Sequence, residues 1–265
     1  MLIDIHLHLQ DSPLRENAPA IMAEARKAGI TRMLCNGESP NDWAHVSQLA
    51  ADYPEILPCF GVHPWFVHQA GDNWEPLLRD TLKRHRCAIG ECGIDRWIEP
   101  RDEALQERIF RRHLQIAAEL DLPIMIHVLR AWGWFTDILA SEPRRPRRML
   151  LHSYGGAPEL IDKLVGLGAF FSFSGSIFEP KRQKLRDALT SVPRDRLLVE
   201  TDAPAMLPPE GIRTHHLLND KGEMVNHPAN LPLIYDGIAR HLRMPRPELE
   251  SRVERNAKAF LGDLL

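Results

Sequence analysis

Two histidines stand two residues apart in the opening stretch MLIDIHLHLQ. Ile3, Ile5, Leu7 and Leu9 share one parity there, and Asp4, His6 and His8 share the other. A period of two is that of a β-strand whose polar side chains lie on one face. Water on that face would account for Asp4, but a solvated strand face favours Lys, Glu or Thr over paired imidazoles. The pair therefore points to a metal site, since both rings project the same way and each offers a nitrogen lone pair. Side chains able to bind metal recur where later apolar runs end. CAIGECGID brings Glu91, PIMIHV brings His127, MLLHSYGG brings His152 and LLVETDAP brings Asp202. Singly, such residues are ordinarily structural: a lone histidine is hydrogen-bonded, Asp202 ahead of Ala203-Pro204 makes a turn, and Glu91 between glycine-flanked positions caps a loop. Their repetition at the carboxyl ends of five runs favours one shared site.

Four imidazoles and two carboxylates exceed what one tetrahedral ion takes. They suit two divalent cations with Glu91 between them, a pair able to acidify water and stabilise charge on a phosphoryl or acyl oxygen. Asp202 is then the expected proton acceptor for the attacking water while also touching one ion. Nitrogen ligands favour zinc, manganese or iron, and magnesium is compatible where waters complete a site.

These residues need elements to position them. After the first strand, residues 31–36, 57–62, 87–92, 123–127, 148–152, 169–173 and 196–200 read as strands. Helical periodicity covers 17–28, 41–51, 74–85, 102–120, 157–167, 181–191, 229–242 and 246–260, and more weakly 132–140. Gly29, Gly166 and Gly168 fall where helices should stop. Such alternation predicts a parallel sheet covered on both faces, either open and doubly wound or closed into a barrel. Neighbouring strands are about 4.8 Å apart, so in an open sheet the first and eighth would lie roughly 30 Å apart. Metal–ligand bonds are about 2 Å. Only closure brings His6 and His8 beside Asp202, so the expected fold is α/β, a (β/α)8 TIM barrel over residues 1–265 as a single domain, with its site at the carboxyl ends of the strands.

With 265 residues, 44% of them hydrophobic, and a net charge of -3, the chain has no broad basic surface for gripping nucleic acid. A local phosphate site built on bound cations remains open. The arginine-rich run 144–148 precedes the sixth strand and so reads as a solvated loop on the opposite barrel face. Cys35, Cys59, Cys87 and Cys92 lack CxxC spacing and read as buried thiols. No apolar stretch approaches a membrane span and no signal peptide is recognisable, so the cytoplasm is the expected compartment. No GxGxxG follows the first strand, which argues against a dinucleotide site, and no obligate protein partner is evident.

DIHLH (Asp4 to His8), GVHP (Gly61 to Pro64), IGECGID (Ile89 to Asp95), LHSYGG (Leu151 to Gly156) and ETDAP (Glu200 to Pro204), with NHPANLP and NAKAFLG further on, resemble the TatD family of metal-dependent deoxyribonucleases within the amidohydrolase superfamily. The resemblance spans nearly the whole chain. It implies a TIM barrel, a binuclear site at His6, His8, Glu91, His127, His152 and Asp202, and 3′-end trimming of single-stranded DNA or RNA. His63, Arg130 and Tyr154 are the expected substrate contacts, and Glu200 shares strand parity with Asp202. Trp65, Phe66, Trp132 and Trp134 follow the third and fifth strands, where an aromatic ring packs a loop or stacks on a base. Two departures concern substrate loops. Family members carry His-Ser/Cys-Arg where this chain has His127-Val128-Leu129-Arg130, and Asn-Glu-Pro where it has Asn226-His227-Pro228. Arg130 is expected to swing back and supply the displaced arginine's phosphate contact. Rival readings are an amide or lactone hydrolase on the same two cations, and a non-catalytic metal-binding barrel.

Overall fold

A computed structural model describes all 265 residues. Eight parallel strands pair in chain order: β1 (Leu2–Leu7), β2 (Ile30–Asn36), β3 (Ile56–Phe60), β4 (Ala88–Asp95), β5 (Ile124–Leu129), β6 (Met149–Leu151), β7 (Ala169–Phe173) and β8 (Leu197–Val199). The circle is completed just beyond the strand ends. Asp202 N–H donates to the His6 carbonyl (2.9 Å) and His8 N–H to the Ala203 carbonyl (2.8 Å). The two residues that complete it are thus neighbours of the two opening histidines.

Helices α1 (Ala18–Lys27), α2 (Trp43–Asp52), α3 (Trp74–Arg84), α4 (Glu103–Leu120), α5 (Trp132–Ser141), α6 (Ile161–Gly166) and α7 (Gln183–Ser191) alternate with the strands, and α8 (Leu231–His241) and α9 (Arg246–Leu261) follow β8. Ile3, Ile5 and Leu7 are fully buried in a strand that packs against α8 and α9. The opposite parity is not solvated. Asp4 is fully buried and accepts hydrogen bonds from both the backbone and the hydroxyl of Thr201, because in a closed sheet the polar face of β1 is the barrel interior.

Strand ends differ from the periodicity in an instructive way. β6 and β8 are only three residues long, and the backbone then turns left-handed at Ser153 (φ 42°) and Asp202 (φ 54°). Non-glycine residues hold such angles at a cost of about 1–3 kcal/mol each, typically where a site demands it. β4 instead runs on to Asp95, past the expected end at residue 92. It approaches β5 so closely that a Cβ on Gly93 would sit 2.0 Å from the His127 carbonyl, so no other residue fits there. Gly29 and Gly168 have positive φ after their helices, whereas Gly166 is still the last residue of α6. Periodicity gave no sign of the small hairpin of Leu217–Leu218 with Met224–Val225. All four cysteines are buried and unpaired, and no helix is long and apolar enough to cross a membrane.

One buried histidine is purely structural. His113 of α4 donates Nδ1–H to the Ile109 carbonyl (2.8 Å) and accepts the Val62 N–H at Nε2 (3.2 Å), so both nitrogens are committed to the neutral form. Burial pushes its pKa down to about 4. Between that value and the ordinary 6.5 the unfolded chain binds the extra proton, so stability rises with pH across the window. We expect unfolding free energy to fall by up to about 3 kcal/mol from this group as pH drops from 7 to 4. Denaturant titrations of His113→Gln should show a shallower pH slope; an unchanged slope would assign the acid sensitivity to other groups.

Candidate metal centre

Glu91 lies at the middle of the site, and its two oxygens face two different sets of imidazoles. Oε2 is 3.2 Å from His6 Nε2 and 3.1 Å from His8 Nε2. Oε1 is 2.7 Å from His152 Nε2, 3.0 Å from His127 Nδ1 and 3.4 Å from His63 Nε2. Asp202 Oδ1 stands on the first side, 3.7 Å from His8 Nε2 and 3.9 Å from His6 Nε2. The six residues expected to bind metal are therefore gathered around one carboxylate, although they come from five strand ends.

Tutored by their outer hydrogen bonds, the rings take distinct roles. His8 donates Nδ1–H to the Asn36 carbonyl (2.9 Å), which leaves the Nε2 lone pair facing the centre. His127 points Nδ1 inward and holds Asp95 Oδ2 with Nε2 (3.0 Å), the carboxylate–histidine arrangement that orients a metal ligand. His63 is different. Its Nδ1 accepts the Trp65 N–H (3.2 Å), so its neutral ring carries the proton on Nε2 and faces the centre as a donor rather than a ligand. Burial moves its pKa down to about 4, against the pull of Glu91.

The donor set passes the test for cations. His6 Nε2 and His8 Nε2 are 3.1 Å apart, and His127 Nδ1 and His152 Nε2 are 3.2 Å apart; two lone pairs at such distances repel unless positive charge lies between them. The electrostatics of the site show the same demand. Burial alone would lower the pKa values of His8, His127 and His152, yet all three are raised. Glu38 and Glu91 do this at His8, Asp95 and Glu91 at His127, reaching about 9, and chiefly Glu91 at His152. Burial likewise opposes ionisation of Glu91, but His152, His63 and His6 outweigh it and hold the carboxyl well below its usual range. His6 Nδ1 and His152 Nδ1 have no protein partner. Sites where one carboxylate bridges two nitrogen sets suit a pair of divalent cations.

A cavity of about 500 Å³ opens over this centre. Two carboxyl groups that the reading of run-ends did not single out, Asp11 and Glu38, line it, and a third, Asp95, is buried behind His127. Asp95 was within reach of parity, since it shares the strand parity of Glu91 along β4. Burial raises Glu38 to about 8, with His8 opposing. Trp65 and Trp97 stand at the rim, 40% and 50% exposed with ring centroids 5.7 Å apart, and Trp65 Nε1–H donates to Asp95 Oδ2 (2.7 Å). Sequence reading also missed Arg182, on the β7 side of the wall.

Other expected contacts fall elsewhere. Tyr154 is buried against Trp132 and Phe171, and its hydroxyl donates to the Ala157 carbonyl, so its ring is core, not cavity wall. Arg130 is exposed at a left-handed position (φ 55°) and does not line the cavity, whereas Leu129 does. Trp134 is turned to Glu107 of α4 (2.6 Å). His227 caps a turn and pairs with Glu24 of α1 (3.1 Å), off the cavity wall. Glu200 is fully buried, accepting the Ser153 N–H (2.7 Å) and the Ser172 hydroxyl; it fixes the strained turn after β6 that aims His152.

Comparison with known proteins agrees with this architecture. A 3′-5′ ssDNA/RNA exonuclease TatD from Edwardsiella piscicida is 31% identical over 263 residues, covering 97% of this chain and 98% of its own. The crystal structure of a TatD homolog from Escherichia coli K12 superposes with a TM-score of 0.88 at 24% identity, over 98% of this chain and 97% of that one. A TatD family hydrolase from Entamoeba histolytica gives 0.85 at 17% identity, covering 98% of each chain; these two likenesses are of fold. The family model described as TatD related DNase matches residues 3–262. The chain belongs to the TatD related DNase family.

Proposed function

We propose that this protein is a metal-dependent phosphodiesterase that removes nucleotides from the 3′ ends of single-stranded DNA or RNA, as a single domain over residues 1–265 in the cytoplasm. The observation that carries the proposal is Glu91, with one oxygen facing His6 and His8 and the other facing His127 and His152. His6, His8 and Asp202 would hold one cation and His127 and His152 the other, with Glu91 shared. Zinc, manganese or magnesium bound there would neutralise charge on the phosphoryl oxygens and acidify the attacking water.

The chain's own groups do the rest. Asp202 is buried beside both histidine sets, and its raised pKa, caused by burial against the pull of His152 and His8, suits a carboxylate that accepts the proton of the attacking water. His63 presents Nε2–H to a substrate oxygen. Asp95 keeps His127 in one tautomer and one orientation. An amide or lactone hydrolase on the same residues is the less supported reading, because the family and its named relatives act on nucleic acid.

The test is a metal-defined digestion of single strands labelled at either end, beside the matching duplexes and an aryl lactone. A 5′-labelled strand should shorten one residue at a time, and a 3′-labelled strand should release a labelled mononucleotide first. Internal cuts, or turnover of the lactone alone, would contradict the proposal. No turnover of any substrate would favour the non-catalytic barrel.

A further inference from the structure

The cavity wall is acidic and aromatic, with one exception. Arg182 is its only permanently charged cation. It stands at the amino end of α7, half-buried, and no carboxylate approaches its guanidinium closely enough to form an ion pair. Nη1 alone is held by the protein: it donates to Ser176 Oγ (3.0 Å) and lies 3.8 Å from Met206 Sδ. Ser176 is buried and paired with Ser174 Oγ (2.9 Å) at the end of β7. Nε and Nη2 have no protein acceptor, although one edge of a guanidinium is the fork that matches two phosphate oxygens. A half-buried cation normally finds a carboxylate, and Asp11, Glu38, Glu91 and Asp202 all line the same cavity. Arg182 pairs with none of them and is tethered instead by neutral groups that leave its charge uncancelled.

We propose that Arg182 is the phosphate-gripping residue of this enzyme, receiving two oxygens of a backbone phosphate of the bound single strand on its Nε–Nη2 edge. The assignment rests on the nuclease reading above and gives it a phosphate contact from the cavity wall, which Arg130 does not line. It also explains the tether: the Ser174–Ser176 pair fixes one nitrogen so that the free edge is presented with little conformational freedom left to lose. The competing structural role, a brace between the β7 loop and the loop carrying Met206, makes a different prediction.

The experiment measures binding of a short phosphorothioate-ended single strand to metal-loaded wild type, Arg182→Gln and Arg182→Lys across a salt series, with kcat, metal content and Tm measured alongside. For Arg182→Gln, Kd should rise about ten- to a hundredfold. The slope of log Kd against log salt should fall by about one. Metal content and Tm should stay at wild-type values, kcat should change by less than about threefold, and lysine should restore the salt slope but only part of the affinity. Wild-type affinity and slope in Arg182→Gln, or an affinity loss that only follows Tm, would overturn the assignment. A wild type that cleaves single strands while Arg182→Gln is indifferent contradicts the assignment alone. A wild type that binds them with this slope but cleaves nothing contradicts the nuclease reading alone, and one that does neither contradicts both.

Discussion

Glu91→Gln is expected to lower kcat by about a thousandfold or more and to reduce bound metal to one ion or fewer per chain. The carboxylate touches five imidazoles through two oxygens, more than Asp202, which lies near His6, His8 and His152. A metal pair supplies several kcal/mol of charge stabilisation, and each 1.4 kcal/mol or so is a factor of ten in rate. Glutamine keeps the shape but loses the charge and turns an N–H group toward ring nitrogens. Metal analysis beside steady-state kinetics checks this, with circular dichroism to confirm the fold. Two tightly bound ions and near-normal turnover in the variant would remove Glu91 from the bridging position.

Asp202→Asn should behave differently: the fold and most of the metal should persist while kcat falls on the order of 10² to 10⁴-fold. Asp202 is farther from the histidines than Glu91 is, at 3.7–3.9 Å, so its loss should damage proton transfer more than ion binding. KM should move little, because an interaction used only in the transition state affects kcat and kcat/KM together. Recovery of wild-type kcat in the metal-saturated variant would make Asp202 a structural residue held by the barrel's closing hydrogen bonds.

The alternation of Asp4, His6 and His8, together with metal-capable residues at four later strand ends, was enough to require closure, since no open sheet could bring them together. The eight strands and the helices between them followed from apolar periodicity. What stayed hidden was set by geometry that periodicity does not encode. Tyr154 follows directly after His152-Ser153 and looked like a cavity residue, but the left-handed turn at Ser153 sends it into the core against Trp132 and Phe171. Arg130 lies off the cavity wall for a similar reason, because its own left-handed backbone follows the last residue of β5 and leaves it exposed. Arg182 carries no local signature. It lies well past the end of β7, in a charged stretch that reads as surface, and only the folded loop places it on the wall. Asp95 was legible in principle through the parity of β4, and was obscured because the strand outruns its apolar residues.

A two-cation centre around Glu91 is tested most directly by counting and locating the ions. Apo protein should be repleted with manganese or zinc, assayed by elemental analysis, and crystallised for anomalous scattering at the metal edge. The expected result is two ions per chain, one beside His6 and His8 and the other beside His127 and His152, with Glu91 between them. A fully repleted crystal with a single ion, or with none near these residues, would contradict it.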